Sequence, residues 1–270
     1  MPSLYSLRYF QQKRRISKFS TITGLVVLLF FFFPEYPKRL CYPFLFGNKT
    51  DEKLTISEDG SYEDVATSPV EFVRNNIKYI LYPKTKYNIT AKIGYIDHYD
   101  TFFKKMYRKR SQGNYINLVP LDLLMVYGDM AKPEAYNLFK FDHEERLGKV
   151  RCKGVKYKMS FFPAYFMSKK EFLISAINAG RCNPYLEAHT YNNYHPIPAN
   201  ENINKGLHTL LAGDVIYIEG YLVDVKMGNY ILHTGTRNNQ YHPYIVNGRP
   251  AGMCFILFTT KLIINGYTYQ

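Results

Sequence analysis

The sequence lacks the short motifs that most directly identify catalytic or metal-binding sites. No Gly-x-Ser-x-Gly surrounds Ser160, Ser168 or Ser175, which argues against a serine hydrolase of that type. Neither His-Glu-x-x-His nor Cys-x-x-Cys occurs, and the candidate metal ligands have no compact spacing. Those candidates are Cys182, His189, His195, His233 and His242. We therefore expect neither a metal ion nor another cofactor.

Tryptophan is also absent, whereas the 270 residues include 26 tyrosines and 19 phenylalanines. A chain rich in tyrosine and β-branched residues favours strands over helices. Its length is sufficient for one sizeable domain with its own hydrophobic core.

Acidic residues are missing before Glu35, and charge of either sign is missing between Phe19 and Phe33. The basic residues before this apolar run predict a cytoplasmic tail at 1–18 and a transmembrane anchor at 19–33. The run is shorter than the roughly 20 residues of a typical span, so a cleaved signal peptide is the alternative. Because no Ala-x-Ala-like site follows, we expect an uncleaved single span with its amino terminus in the cytoplasm.

The exported part is basic, because only part of the net charge of +13 lies in the tail. Its densest cluster follows Phe102 and Phe103 and contains Lys104, Lys105, Arg108, Lys109 and Arg110. Such a cluster suits anionic lipid, a cell-wall polymer or an acidic protein, although a solvated loop explains it equally well. A position outside the cytoplasm argues against nucleic acid as the partner.

Local patterns divide the exported part into a polar linker at 34–66 and a folded domain at 67–270. A capping box at Ser68 predicts a helix up to Tyr82, and an apolar run predicts another from Leu118 to Tyr127. Asn200 is predicted to cap a third helix. Alternating patterns predict strands at 87–95, 150–153, 155–159, 215–225, 230–234 and 253–264.

Together these elements predict an α+β, mainly β fold. We expect a small barrel-like β domain, OB-like or SH3-like in outline, with short helices. Gly220 is expected to mark a bulge or bend in its strand. Cys152 and Cys182 form the preferred disulfide, although spacing alone cannot determine the connectivity. Cys254 is expected to be a buried strand residue. It would then carry a free thiol, which is the alternative to its forming a disulfide.

The segment 194–200, with the Gly213-Asp214 and Gly220-Tyr221-Leu222-Val223 elements after it, resembles a family of bacterial single-span envelope proteins. The pattern of that family is Asn-x-His-x-Ile-Pro-Ala, Gly-Asp and Gly-Tyr-Leu-Val. The resemblance extends through residues 87–95, Pro120-Leu121-Asp122-Leu123, Arg237 and Cys254. The chain departs from the family at Tyr127, where tryptophan is usual, and at Phe255, where glutamate is usual. The resemblance implies a bacterial, membrane-anchored domain, and it implies no activity. Together with the predicted orientation of the anchor, it leads us to expect an inner-membrane protein with a periplasmic domain.

Asn193, His195 and Asp214 are the best candidates for a functional site, because they lie in loop or turn sequences between predicted strands. Ordinary turn chemistry is the alternative interpretation. Asn193, His195, Arg237 and the basic cluster are the candidate binding residues. We expect an interaction module in an envelope assembly rather than an enzyme. The alternative is a membrane-tethered hydrolase in which His195 is the base and Asp214 orients it.

Overall fold

The computed structural model describes residues 43, 45–74, 76–99, 118–144, 147–155, 169–188, 190–235, 244–246, 249–251 and 254–270. The predicted tail and anchor, residues 1–18 and 19–33, lie outside these ranges. Within the described ranges, no helix combines the length and the apolar character needed to cross a bilayer.

Strands form most of the described secondary structure, as the sequence predicted. The strands before residue 160 are β1 Asn48–Lys49, β2 Ser61–Asp64, β3 Val70–Arg74, β4 Ile77–His98, β5 Leu121–Val126, β6 Phe139–Glu144 and β7 Leu147–Cys152. The later strands are β8 Tyr191–Pro198, β9 Val215–Met227, β10 Tyr230–Leu232, β11 Tyr244–Val246, β12 Arg249–Ala251, β13 Phe255–Ile264 and β14 Tyr267–Tyr269. Among the described residues, the structure has the helices α1 Pro133–Tyr136, α2 Lys169–Glu187 and α3 Glu201–Leu207, and a 3-10 turn spans Gly128–Ala131.

Five strands hydrogen-bond in a closed circle, which we call the strand ring. Its order is β13, β8, β5, β4 and β9, and it closes because β9 also pairs with β13. The β8–β13 pair is parallel, whereas the other four pairs of the ring are antiparallel. Because alternate side chains point to opposite faces of a strand, the ring has an apolar interior and a separate outer face.

Aromatic and aliphatic side chains fill the interior of the ring. Near its centre, the hydroxyl groups of Tyr87 and Tyr194 are 2.7 Å apart and satisfy each other's hydrogen bonding. The α3 helix adds Ile203 and Leu207 to this core. Its amino terminus is capped by Asn200, whose side chain accepts a hydrogen bond from the Ile203 amide at 3.0 Å, as predicted.

Three further predictions are confirmed. The strand at 87–95 is the central part of β4. The residues predicted to face inward, which are Tyr87, Ile89, Ala91 and Ile93, are buried. The hairpin after residue 215 consists of β9 and β10, with Gly228 in the left-handed conformation at the turn. The last apolar strand is β13. Of the two predicted basic strands, the first is β7, and most of the second lies outside the described residues.

The predicted helix from Ser68 to Tyr82 is wrong. This segment forms β3 and the first part of β4, which pair as an antiparallel hairpin. Asn76, with a φ angle of 61°, lies in the turn between them. The helical spacing was that of Val70, Val73, Ile77 and Ile80, of which Val70 and Val73 are exposed. The buried residues Tyr79 and Leu81 instead follow a period of two on one face of β4. Tertiary pairing decided between these two periods.

The predicted helix from Leu118 to Tyr127 is also wrong, because its centre is the strand β5. Every residue of β5 is buried, since the strand lies between β4 and β8 and both of its faces are covered. A strand buried on both faces shows no alternation, so its sequence cannot be distinguished from that of a buried helix.

The disulfide between Cys152 and Cys182 is confirmed and joins β7 to α2, with 6.0 Å between the two Cα atoms. The sequence analysis did not identify α2 itself. Part of the predicted linker at 34–66 also belongs to the folded domain, because β1 pairs with β14 and β2 pairs with β4. Polar composition suggested a linker, but edge strands are often polar because one side of them faces solvent.

Candidate active site

Polar residues of β5 and β8 meet on the outer face of the strand ring. Leu123 pairs with Tyr194, and both side chains belong to the interior core. Because side chains alternate, the adjacent residues Asp122 and His195 point outward beside each other. The His195 Nδ1 donates a hydrogen bond to Asp122 Oδ1, and both side chains are almost completely buried.

Cys254 immediately precedes β13, in which Phe255 lies opposite Tyr194 of the parallel strand β8. The cysteine therefore lies beside Asn193, whose Nδ2 is 3.5 Å from the sulfur. A hydrogen bond also joins the thiol to the imidazole of His195. Cys254 takes no part in a disulfide, and the residue as a whole is partly exposed.

The backbone around Cys254 is held by the segment that follows β10. The Gly235 amide donates to the Cys254 carbonyl oxygen at 2.7 Å. The Ile256 amide donates to Thr234 Oγ1 at 2.9 Å, and the Thr234 amide donates to Asp224 Oδ1 at 3.0 Å. These contacts fix the backbone at Cys254 and just after it, and none of them uses the sulfur.

Cys254 and His195 change each other's affinity for protons. Burial acts to raise the pKa of the Cys254 thiol, but the charge of His195 and hydrogen bonds from His195 and Asn193 outweigh it and lower that pKa. Burial acts to lower the pKa of His195, but Asp122 and Cys254 outweigh it and raise that pKa to about 9. The two groups therefore stabilise each other's charged forms, the thiolate and the imidazolium.

The second carboxylate oxygen of Asp122 is also occupied. Tyr99 donates its hydroxyl hydrogen to Asp122 Oδ2, while His195 donates to Oδ1. Asp122 is completely buried. Two hydrogen bonds hold the carboxylate in one orientation and stabilise its charge away from water. The orientation of the His195 ring is fixed in turn, with Nε2 directed towards the cysteine side of the site.

Asn193 connects the thiol to a second histidine. Its Oδ1 accepts a hydrogen bond from His143 Nε2 at 2.6 Å, while its Nδ2 faces Cys254. His143 belongs to β6, and its ring lies against Tyr95 with the ring centroids 5.7 Å apart. His143 Nδ1 is 3.7 Å from Asp97 Oδ2. A second pair of aspartate and histidine thus reaches Cys254 through an amide.

Two of the residues selected from the sequence, Asn193 and His195, lie together in this site. The remaining binding candidates lie outside the described residues and stay predictions. They are Lys104, Lys105, Arg108, Lys109, Arg110 and Arg237.

Asp214 belongs to the turn before β9. Its Oδ2 accepts a hydrogen bond from the Leu211 amide at 2.8 Å, and its carbonyl oxygen accepts one from the Ile93 amide at 2.9 Å. Ile93 and Asp97, which lies beside the site, are four residues apart on β4, or about 13 Å at the usual rise of a strand. The prediction that Asp214 orients His195 is therefore wrong, and the alternative of turn chemistry is correct.

Sequence reasoning missed Asp122 and the reactive environment of Cys254. One signal for Asp122 was present, because a carboxylate inside the apolar run Leu121-Asp122-Leu123 must find a partner if the run is buried. No local signal placed Cys254 beside His195, since the two residues meet only through the pairing of β8 with β13.

In the described part of the chain, no three His, Cys, Asp or Glu side chains are arranged so that they could hold a metal ion. A scan against protein-family models, a search of curated proteins and a search of solved structures each found no match for this chain. An interpretation of the site therefore depends on its own geometry and chemistry.

Proposed function

We propose that this protein is a cysteine-dependent acyl-transfer enzyme, either a hydrolase or a transferase, acting on an ester, thioester or amide carbonyl. The observation that carries the proposal is the series of hydrogen bonds that joins Cys254 to His195 and His195 to Asp122. A thiolate nucleophile, an imidazole that transfers protons and a carboxylate that orients it are the components of such sites. This is the hydrolase alternative, with Asp122 in the role predicted for Asp214.

The arrangement supports a two-step reaction. The Cys254 thiolate attacks the carbonyl carbon, and collapse of the tetrahedral intermediate breaks the bond to the leaving group, which takes a proton from His195 Nε2. The product is a thioester. Neutral His195 then removes a proton from water or another nucleophile as that molecule attacks the thioester. Cleavage of the carbon–sulfur bond returns the electron pair to Cys254 and restores the ion pair.

We further propose that the enzyme works outside the cytoplasm, attached to the bacterial inner membrane by the segment 19–33. The Cys152–Cys182 disulfide supports this location, because such bonds persist mainly in oxidising compartments. The barrel-like, OB or SH3-like outline is a proposal of the same kind, supported by the closure of the strand ring.

The interaction module predicted from the sequence remains a second candidate. The observation that favours it is that two edge strands, β3 and β10, expose apolar side chains, namely Val70, Val73, Tyr230 and Ile231. Edge strands of this kind can pair with a partner chain. A partner that purifies stoichiometrically from gently solubilised membranes should be lost on Val73→Lys or on charge reversal at Lys104, Lys105 and Arg108. It should be retained in Cys254→Ala.

The acyl-transfer proposal can be tested with p-nitrophenyl acetate on the full chain in a Cys41→Ser background, so that Cys254 is the remaining free thiol. We expect a burst of p-nitrophenolate equal to the protein concentration and an acetyl group on the peptide that contains Cys254. Cys254→Ala should abolish the burst. His195→Gln should slow it by about 10²-fold or more, because a proton-transfer group is lost.

His208→Gln is the matched control, because it replaces a histidine whose ring stacks on His98, with the ring centroids 5.9 Å apart. Its burst should equal that of the parent protein. Absence of a burst from the parent protein, or a burst that survives Cys254→Ala, would contradict the proposed function.

A further inference from the structure

The side-chain amide of Asn193 is fixed in one direction. An amide has one accepting end and one donating end, and its Oδ1 is occupied by the Nε2 hydrogen of His143. The donating Nδ2 therefore points towards Cys254 and His195, and it lies 3.5 Å from the sulfur and 3.5 Å from His195 Nε2. Asn193 is buried, so bulk water does not compete for these hydrogen bonds.

A donor in this position can do more than contact the thiol. When a thiolate attacks a carbonyl carbon, negative charge develops on an oxygen that is one bond from the attacked carbon. If the carbonyl approaches with its oxygen on the side of the sulfur where the donor lies, the fixed donor also reaches that oxygen. Preorganised donors of this kind stabilise the transition state because they need no rearrangement as the charge appears.

Resting on the acyl-transfer function proposed above, we propose that Asn193 is a catalytic residue whose Nδ2 stabilises the oxyanion. His143 is then a positioning residue, because it touches neither thiol nor substrate and holds the amide by its oxygen. The structure thus assigns separate tasks to two pairs of aspartate and histidine. Asp122 and His195 prepare the nucleophile, whereas Asp97 and His143 orient the donor.

The surroundings of His143 suit a positioning role. Its ring is buried and is held against Tyr95, and its Nδ1 faces the carboxylate of Asp97. Its backbone amide donates to Asp142 Oδ1 at 2.8 Å. Contacts on the ring face, on the ring edge and at the backbone therefore restrict the ring. A restricted ring presents its Nε2 hydrogen to Asn193 in a constant direction.

The test compares two reactions of the same thiol in the full chain with Cys41→Ser. Alkylation by iodoacetamide displaces iodide and forms no oxyanion, whereas acylation by p-nitrophenyl acetate passes through one. Both rate constants are measured at a pH above the thiol pKa, where the thiolate is fully formed. We expect Asn193→Ala to slow acylation by about 10²-fold, the typical effect of losing one oxyanion donor, with alkylation nearly unchanged.

A pair of substitutions at His143 tests the same inference without altering Asn193. Gln can place an amide nitrogen close to the position of the imidazole Nε2 and still donate to Asn193, whereas Leu cannot. We expect His143→Leu to slow acylation at least tenfold relative to alkylation, and His143→Gln to restore most of the loss. A merely structural histidine would not give this difference between the two reactions.

The outcomes separate the inference from the function on which it rests. If the parent protein is alkylated at Cys254 but is not acylated there, the acyl-transfer function fails and this inference fails with it. If the parent is acylated and Asn193→Ala leaves the ratio of the two rates unchanged, only the role of Asn193 is overturned. An equal loss of both reactions in Asn193→Ala and in both His143 variants also overturns it, since that result indicates general damage to the site.

Discussion

Asp97 and Asp122 lie directly opposite each other on β4 and β5, and each of these buried carboxylates faces a different histidine. Asp122 contacts His195, and Asp97 lies beside His143. Like charges opposite each other on neighbouring strands repel, and here each carboxylate has a separate histidine beside it. His195 contacts Cys254 directly, and His143 reaches it through Asn193.

Substitution of Asp122 by Asn should move the alkylation profile of Cys254 to higher pH. Without the carboxylate, the pKa of His195 falls, and the imidazolium no longer stabilises the thiolate at neutral pH. The pKa of Cys254 therefore rises towards its ordinary value. Rate constants for iodoacetamide between pH 5 and pH 10, in the Cys41→Ser background, should show a midpoint about one unit higher than in the parent protein.

Asp214→Asn provides the matched control for this change, because Asp214 was predicted from the sequence to orient His195. The structure places its side chain in the turn before β9, where it accepts from the Leu211 amide. Its alkylation profile should therefore coincide with that of the parent. If Asp214→Asn shifted the midpoint and Asp122→Asn did not, the assignment of the carboxylate would be incorrect.

The pH dependence of stability should become visible when the thiol is removed. The folded pKa of His195, about 9, exceeds its ordinary value of 6.5, so its stabilising contribution is complete below pH 6.5 and is lost as the pH rises through about 9. The pKa of Cys254 is lowered, so its contribution is present above its ordinary value of 9.0 and is lost as the pH falls through the folded value. In the wild-type protein the two contributions oppose each other.

Cys254→Ser leaves the contribution of His195 unopposed, while Asp122 still holds the pKa of the imidazole above its ordinary value. Relative to wild type, its free energy of unfolding should therefore fall by about 1 to 2 kcal/mol between pH 6 and pH 9.5, since one pKa unit corresponds to about 1.4 kcal/mol. Urea unfolding at both pH values measures this. Adding Asp122→Asn should remove the extra slope. An identical pH dependence in wild type and Cys254→Ser would argue against the ion pair.

Gly220→Ala should disrupt the closure of the strand ring. Gly220 pairs with Thr259 at the junction of β9 and β13, and a Cβ atom at Gly220 would lie 2.0 Å from the Phe258 carbonyl oxygen. Backbone cannot move aside as a flexible side chain can, so we expect a loss of about 3 kcal/mol or more in the free energy of unfolding, measured with urea. The bulge that the sequence predicted at Gly220 lies instead in the opposite strand, β13, where the register shifts between Thr259 and Lys261.

Gly180→Ala is the control for this prediction. Gly180 lies in α2, and no atom would be within 4 Å of a Cβ atom there. Alanine should be neutral or should stabilise the helix by up to about 1 kcal/mol. If Gly220→Ala were as stable as Gly180→Ala, β9 and β13 would not approach each other as closely as described.

The sequence predicted the strands well where one face is buried and the other is not. Residues 87–95 and 215–225 alternate, and both are strands of the ring. It failed at 68–82 and 118–127. In the first segment, the helical period was carried by residues such as Val73 that are exposed, whereas the buried Tyr79 and Leu81 follow a period of two. In the second, burial of both faces removed the alternation. Local pattern cannot resolve either case, because the choice depends on which strands lie alongside.

Two of the site residues, Asn193 and His195, could be selected from the sequence. Asn193 and His195 stand out because they are two residues apart in a proline-containing segment, and both are in the site. Their true carboxylate partner, Asp122, is 73 residues from His195 in the sequence. Asp214 was the nearer choice along the chain and the wrong one.

By itself, the sequence determined the mainly β character of the domain and the Asn200 cap, and it indicated Cys152 and Cys182 as the preferred disulfide. These features follow from composition, from contacts within one helical turn and from the small number of cysteines. Only the tertiary structure decided that Asp122, His195 and Cys254 form one site. The physical reason is strand register: pairing of β5 with β8 and of β8 with β13 sets which distant residues lie side by side, and a shift of one residue would turn them to the other face.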